Sequence, residues 1–253
     1  MNALVRAELL KLRSTRTLAW LLLATVAMVV VTVAASVPSA SEPDAGLSFH
    51  ESALLTRLVG ISFGVPQVMM VLLGVLAFTQ ETRYGTVSST FLVEPRRNRV
   101  FVAKGLALII ASVVITTATL VVSCTVSTVF ISAKDGNVTT GTEFGQVIAA
   151  VFVVMMLYGL IGLAIGALVR NQVVAVTAAL IWQTAAEHLL LDALPQVARW
   201  TPVGATYGLL QLGPIVTTQG TLLDAPIGGL LLVGYTAAAA ALALVVAPRR
   251  DIL

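Results

Sequence analysis

Three ionisable side chains stand close together near the end of a long apolar run: Glu187, His188 and Asp192. Charged groups at membrane depth are costly, and they are therefore candidates for function. Neighbours on a helix point about 100° apart, so Glu187 and His188 face different directions, whereas His188 and Asp192 are four residues apart and can pair. A metal site needs three or four ligands, and His50 is the only other histidine. We therefore favour an interfacial or outer-gate pair over a metal site or a proton relay.

Motifs for nucleotide hydrolysis and for zinc-dependent proteolysis are absent from the sequence. There is no Gly-x-x-x-x-Gly-Lys-Ser/Thr and no His-Glu-x-x-His. We expect no enzymatic activity, no catalytic residue and no cofactor or metal on this chain. The single Cys124 lies in an apolar run, so it predicts a packing residue and no internal disulfide.

A second polar group fills the segment Gln80–Lys104, which separates two apolar runs. Basic residues in a short loop predict a cytoplasmic location. The segment carries five of the fifteen Lys and Arg residues: Arg83, Arg96, Arg97, Arg99 and Lys104. It opens with the acid–base pair Glu81 and Arg83, continues through Gly85 and a partly apolar stretch, and stops at Pro95. This pattern predicts a small docking element for a cytoplasmic partner.

The composition indicates that a bilayer surrounds most of the chain. Hydrophobic residues make up 58% and charged residues 11%, against roughly 25% charged in soluble domains, and the mean hydropathy is +0.97. The apolar runs are continuous and about 20 residues long, which favours helices over barrel strands. The pI of 9.4 does not indicate nucleic acid, because the basic residues cluster at the ends of the apolar runs.

Six membrane spans are predicted: 18–37, 58–79, 101–130, 144–169, 173–191 and 226–247. With both termini in the cytoplasm, twelve of the fifteen basic residues lie inside, and only Arg57, Lys134 and Arg199 lie outside. This distribution satisfies the positive-inside rule. We expect an all-α, multi-pass protein of the cytoplasmic (inner) membrane, formed by one transmembrane domain over residues 1–253. The third run exceeds the bilayer thickness, and so it tilts or projects.

Two segments outside the spans have their own patterns. In residues 1–17, Leu4, Val5, Leu9 and Leu12 recur at helical spacing among basic residues, which predicts a helix lying at the inner interface; the simpler alternative is a topology signal. Residues 192–225 are apolar but broken by Pro and Gly, which predicts a re-entrant hairpin with Trp200 at the outer interface. The alternative there is a folded external loop.

Two pairs of small residues four apart lie inside the spans, Gly60 with Gly64 and Gly162 with Gly166. Such pairs let helix backbones approach closely. We favour packing within the subunit over dimerisation.

Three stretches resemble one family. VRAELLKLRSTRTLAW (5–20), ETRYGTVSSTFLVEPRRNRVFVAKGLA (81–107) and RWTPVGA (199–205) are similar to the entry segment, first cytoplasmic loop and external region of type-2 ABC transporter permeases of actinobacteria-like sources. The first loop carries the most specific resemblance, an acid-x-Arg-x-Gly-Thr start before a coupling helix and a Pro-Arg-Arg-x-Arg stretch. The β-branched residues between Thr86 and Val93 depart from a strong helix former.

The resemblance implies a permease that pairs with a second permease subunit, identical or different, and with two cytoplasmic ATP-binding subunits, which hold ATP and Mg. It implies that the loop, residues 80–100, contains a coupling helix. Glu81, Arg83, Gly85 and Thr86 would open this element, and Val87, Phe91 and Leu92 would form its docking face. The substrate path would run between the permease subunits along spans two and five, under the outer hairpin.

Other functions stay open on sequence grounds. A secondary carrier would work by an ion gradient without an ATP-binding partner, and a membrane scaffold or regulator would bind partners and move nothing. The apolar interior, dotted with Ser and Thr, favours a hydrophobic or amphipathic small molecule as the substrate of an exporter.

Overall fold

The computed structural model describes residues 1–39, 54–86, 92, 94, 96–136, 138–169, 171–212 and 222–246. Every regular element in these ranges is helical, and six helical stretches are long and apolar enough to cross a membrane. They are Arg16–Ser36, Leu54–Arg83, Asn98–Ala133, Phe144–Leu168, Gln172–Ala193 and Ala225–Val246. The prediction of an all-α protein with six spans is confirmed, within a few residues at each boundary.

The helices are numbered in chain order. They are α1 (Asn2–Ser14), α2 (Arg16–Ser39), α3 (Leu54–Ser62), α4 (Gly64–Arg83), α5 (Arg97–Ala133), α6 (Phe144–Leu168), α7 (Gln172–Ile181), α8 (Glu187–Ala193), α9 (Pro195–Ala198), α10 (Pro202–Leu209) and α11 (Ala225–Val246). A π-helical turn, Trp182–Ala186, joins α7 to α8. The 37 residues of α5 span about 55 Å at 1.5 Å per residue, so α5 is longer than the hydrocarbon core, as its sequence predicts.

Breaks in the helices have local causes. Thr15 adopts an extended conformation between α1 and α2, so the N-terminal helix turns away from the first span. The second span breaks at Phe63, and Pro66 follows in the first turn of α4, where its missing N–H has no helical partner to lose. Asn171 caps α7 by accepting hydrogen bonds from the backbone N–H groups of Val173 and Val174.

The centre of the fold is the contact between α4 and α6, and glycine makes it close. A Cβ atom at Gly162 would overlap the backbone of Val71, and one at Gly74 would overlap the backbone of Gly159. A Cβ at Gly166 would lie 2.7 Å from the carbonyl oxygen of Val75. Gly162 and Gly166 therefore pack within the subunit, as predicted.

The other predicted glycine pair behaves less uniformly. A Cβ atom at Gly60 would meet the side chain of Leu212 at 3.0 Å, so this residue also packs within the subunit. A Cβ at Gly64 would contact nothing within 4 Å among the described residues. Close backbone approach is thus not a shared property of that pair.

Hydrogen bonds near the helix ends show which connecting segments lie at the same end of the bundle. At one end, Gln80 donates to Thr17 (3.4 Å) and Arg83 donates to Gln172 (3.5 Å). At the other end, the backbone N–H of Gly141 donates to Thr56 at 3.2 Å. We call the first the inner end and the second the outer end, following the predicted orientation. The alternation agrees with spans that run up and down in sequence.

The outer end is covered by short helices that pack on the last span. A Cβ at Gly228 of α11 would approach the carbonyl oxygen of Ala205 in α10 to 2.5 Å, and one at Gly204 would overlap the backbone of Ala198. The Tyr235 hydroxyl donates to the carbonyl oxygen of Trp200 at 2.8 Å. Residues 192–212 are thus a compact helical cap, and its entry into the membrane as a re-entrant hairpin stays a prediction.

Candidate functional site

Four charged side chains form a closed ring at the inner end, which we call the inner cluster: Glu8, Lys11, Glu81 and Lys104. Lys104 Nζ donates to Glu8 Oε2 and to Glu81 Oε1, each at 2.7 Å. Lys11 Nζ donates to Glu8 Oε1 at 2.8 Å and to Glu81 Oε1 at 2.7 Å. The ring therefore joins three elements that are distant in sequence, α1, α4 and α5.

The sequence of α1 explains why Glu8 points inward. Leu4, Val5, Leu9 and Leu12 are half-buried, while Leu10 is 65% exposed. Glu8 lies on the same helix face as those four residues and is the buried residue of α1. The predicted helix exists, but the face predicted to enter lipid packs at least partly on the protein, since Leu12 contacts the main core. Its interfacial location stays a prediction.

The lysines and glutamates of the inner cluster balance one another's charge. The Lys104 side chain is 2% exposed, and a buried ammonium is strongly destabilising unless carboxylates surround it. Partial burial of Lys11 lowers its pKa, but the hydrogen bonds and charges of Glu8 and Glu81 outweigh that effect, so its pKa is raised above 10.5. Two acids and two bases thus compensate one another.

The two ends of the loop between α4 and α5 meet at this cluster. Glu81 is in the last turn of α4, and Lys104 is two turns into α5. Gly85 has φ +68°, a left-handed conformation that glycine adopts without strain, and it lets the chain leave α4. Any movement of the loop is therefore applied close to the contact with α1.

The residues predicted to open the coupling element occupy different environments. The Glu81 side chain is 14% exposed and engaged in the cluster, whereas Arg83 lies beside the Tyr84 ring, 5.8 Å from its centroid. The backbone N–H of Thr86 donates to the Glu81 carbonyl oxygen at 3.0 Å. These side chains thus do not form one surface.

The predicted docking face is described only in part. Leu92 is 86% exposed, which suits a residue that contacts a partner. Val87 and Phe91 lie outside the described residues. Their role in docking stays a prediction.

A cleft of about 310 Å³ adjoins the inner cluster. Leu12, Ala77, Ala107 and Leu108 supply apolar walls, and the cluster supplies charged groups. Residues of the N-terminal helix and of the two spans that enter and leave the loop line this cleft. Space of this kind permits α1 to shift without the disruption of a close-packed core.

A second buried group lies at the outer end, which we call the outer group: Glu187, Trp182, Tyr158 and Tyr207. The Glu187 side chain is 1% exposed, and its Oε1 accepts a hydrogen bond of 3.0 Å from Trp182 Nε1. Within the described part of the chain, its Oε2 has no hydrogen-bond partner and no cation lies within salt-bridge distance. Unlike the inner cluster, this carboxyl is uncompensated.

Three elements surround the Glu187 carboxyl. The backbone N–H of Val203, at the start of α10, lies beside the carboxyl, and the hydroxyl groups of Tyr158 and Tyr207 lie near it. The Tyr158 hydroxyl contacts Thr206 Oγ1 at 3.0 Å, which links α6 to α10. Glu187 itself follows the π-helical turn, a departure from α geometry that often occurs at functional sites.

The remaining predicted outer-gate residues are exposed. His188 points away from Glu187, as predicted, but its Nε2 contacts the Tyr207 hydroxyl at 3.2 Å, and no described hydrogen bond or ion pair joins it to Asp192. Asp192 is exposed at the end of α8. Trp200 is 46% exposed, and the Arg199 guanidinium lies 5.6 Å from its ring centroid. The four candidates thus do not form a single cluster.

Serine and threonine side chains in the spans mostly serve their own helices. Thr117 and Thr125, both exposed, donate to backbone carbonyl oxygens four residues earlier at 2.8 and 2.7 Å. Ser62 and Ser123 contact each other at 2.8 Å and tie α3 to α5. These hydroxyls do not define a polar substrate path, so the Ser/Thr pattern adds little to the choice of substrate.

The family comparison agrees with the helical architecture and with the family resemblance of the loop between α4 and α5. The sequence profile of the family described as "ABC-2 family transporter protein" matches residues 4–186. This range covers most of α1, the inner cluster, the first four spans and most of the fifth, and it ends one residue before Glu187. The chain belongs to this family, and it is an integral membrane protein. No curated protein matches the chain significantly.

Proposed function

We propose that the protein is the permease subunit of an ABC exporter and moves a hydrophobic or amphipathic compound across the cytoplasmic membrane. ATP is hydrolysed by separate cytoplasmic subunits, which dock on the loop between α4 and α5. A second permease subunit, identical or different, completes the substrate path. The inner cluster is the observation that carries this proposal, because it links both ends of the docking loop to the N-terminal helix.

The inner cluster provides a mechanical connection for ATP-driven movement. Glu81 and Lys104 flank the loop, and Glu8 and Lys11 hold α1 against both of them. A push on the loop is passed to three helices at once, since four short charge-assisted hydrogen bonds resist their separation. The side chain of Leu92 and its neighbours in the loop supply the docking surface.

The close α4–α6 contact carries that movement through the membrane. Backbone-to-backbone packing at Gly74 and Gly162 leaves little room for sliding, so α4 and α6 move together. Tyr158 of α6 contacts Thr206 of the outer cap. Movement of the loop at the inner end is therefore passed to the outer gate, where Glu187, His188 and Trp200 lie.

The first test is purification of the tagged chain in mild detergent from its own host, with identification of bound proteins and an ATPase assay. We expect a stoichiometric cytoplasmic subunit with a P-loop, and ATPase activity that depends on it. Recovery of the folded chain without such a subunit would contradict the proposal.

The buried carboxyl of Glu187 is the one observation that favours an ion-driven carrier as a second candidate, because such carriers use intramembrane acids. Transport by a carrier collapses when an uncoupler removes the ion gradient while ATP persists. Transport by the proposed exporter continues under that condition and stops when ATP is depleted.

A further inference from the structure

We propose that the outer group binds the positively charged head of an amphipathic organic cation. The inference rests on the proposed transport function, and it specifies the chemical class of the substrate. The binding residues are Glu187 for charge and Trp182, Tyr158 and Tyr207 for aromatic contact. All four lie at the outer end, where a substrate would leave the membrane.

The first support is the unsatisfied carboxyl. Glu187 is 1% exposed, its Oε2 has no partner, and no cation among the described residues pairs with it. Burial of such a group is costly, and unsatisfied polar atoms in a folded core call for an explanation. The Val203 backbone N–H and the Trp182 indole N–H lie on one side of the carboxyl. The oxygen Oε2 with its free lone pairs is thus available to a cation.

The second support is the set of aromatic rings. Trp182 donates a hydrogen bond to the carboxyl, and the hydroxyls of Tyr158 and Tyr207 lie near it. These rings come from the π-helical turn, α6 and α10. Aromatic rings around a carboxylate are suited to quaternary and other weakly hydrated cations, which bind to ring faces and to negative charge together. A small, strongly hydrated metal ion would instead require several oxygen ligands.

The third support is access. Trp182 is 51% exposed although its indole N–H reaches the buried carboxyl. Its ring therefore separates Glu187 from the surface of the fifth span. The π-helical turn that carries it lacks the regular α ladder. A rotation of this one side chain opens a route to the carboxyl without unfolding the outer cap.

The test is the binding of tetraphenylphosphonium, a lipophilic cation, to the purified full chain in detergent, measured by titration calorimetry with empty micelles subtracted. Neutral triphenylphosphine oxide is the uncharged comparison. We expect Glu187→Gln to weaken cation binding at least tenfold and to leave binding of the neutral compound unchanged. Asp224→Asn, which removes an exposed carboxylate at the same end, is the matched control and should bind the cation as the native chain does.

Two variants of Trp182 separate ring contact from structural damage. Trp182→Phe keeps a ring and should lose less affinity for the cation than Trp182→Leu, with both chains folded by their melting curves. Cation binding by a folded Glu187→Gln protein at native affinity would overturn the inference, and so would absence of cation binding to the native chain. Because the assay needs no ATP-binding subunit, its outcome is independent of the test of the proposed transport function.

Discussion

The inner cluster and the outer group are both buried sets of ionisable side chains, but they differ in charge balance. At the inner end, two lysines face two glutamates, and the hydrogen bonds close a ring. At the outer end, Glu187 has an indole N–H and a backbone amide beside it but no cation among the residues that the structure describes. A balanced cluster fixes the positions of helices. An unbalanced carboxyl is suited to receiving a charge from elsewhere.

The largest loss of stability is expected when Lys104, the central cation of the inner cluster, is removed. Lys104→Met leaves Glu8 and Glu81 buried with half of their partners, which should lower the free energy of unfolding by about 3–5 kcal/mol. Chemical denaturation in mild detergent measures the change. Adding Glu8→Gln to that variant removes one stranded charge and should restore part of the loss. Native stability of Lys104→Met would break the comparison.

The two ends can act together only if α4 and α6 form a rigid connection. Gly162→Ala places a methyl group against the backbone of Val71 and should cost about 2–3 kcal/mol by forcing the helices apart. Gly234→Ala is the matched control, because a Cβ there meets no atom of the described residues within 4 Å. It should be neutral or slightly stabilising, since alanine is the better helix former. Equal stabilities of the two variants would show that the α4–α6 contact is not tight.

The same substitution at the two ends should have opposite consequences. Glu81→Gln weakens two bonds to lysine and should cost about 2 kcal/mol, a typical value for hydrogen bonds to charged groups. Glu187→Gln removes a buried charge with no cation partner and should leave the free energy of unfolding unchanged or slightly increased. Both values come from the same denaturation series. A larger loss of unfolding free energy for Glu187→Gln than for Glu81→Gln would contradict the proposed difference in charge balance.

The smallest effect concerns the pH dependence of the inner cluster. The folded-state pKa of Lys11 is raised above 10.5, so its contribution to stability is complete below that pH and is lost as pH rises through the raised value. Lys11→Arg keeps its charge at high pH. The melting temperatures of the two proteins should keep a constant difference between pH 7 and 9, and above pH 10.5 the native protein should fall relative to the variant. A constant difference throughout would exclude the linkage.

Much of the fold follows from the sequence because lipid leaves few choices. Continuous apolar runs predict the six spans. The basic residues predict that the loop between Gln80 and Lys104 lies at the same end of the bundle as the N-terminal helix. The break at Phe63 and the π-helical turn at Trp182 were not predicted. Both depend on how neighbouring helices pack, and no short-range pattern specifies the extra residue of a π turn.

The sequence predicts the inner cluster only in part. The sequence pattern predicts that Glu81 begins a docking element and that Lys104 is a topology signal. It does not predict that both residues contact Glu8. A signal for Glu8 exists, because it is an acid on a helix face otherwise formed by Leu4, Val5, Leu9 and Leu12. An acid within an apolar stripe predicts a buried basic partner. Which lysine supplies it depends on long-range packing.

The most direct test of the central claim is the ATPase rate of the complex that we propose the chain forms with ATP-binding subunits. The native protein, Glu81→Gln and Asp135→Asn should be compared below their melting temperatures, the last variant being a control at an exposed acid of the outer end. We predict that Glu81→Gln keeps its ATP-binding subunits but loses at least tenfold in ATPase rate, while Asp135→Asn retains the native rate. A native ATPase rate in the intact Glu81→Gln complex would contradict the role of the inner cluster in coupling.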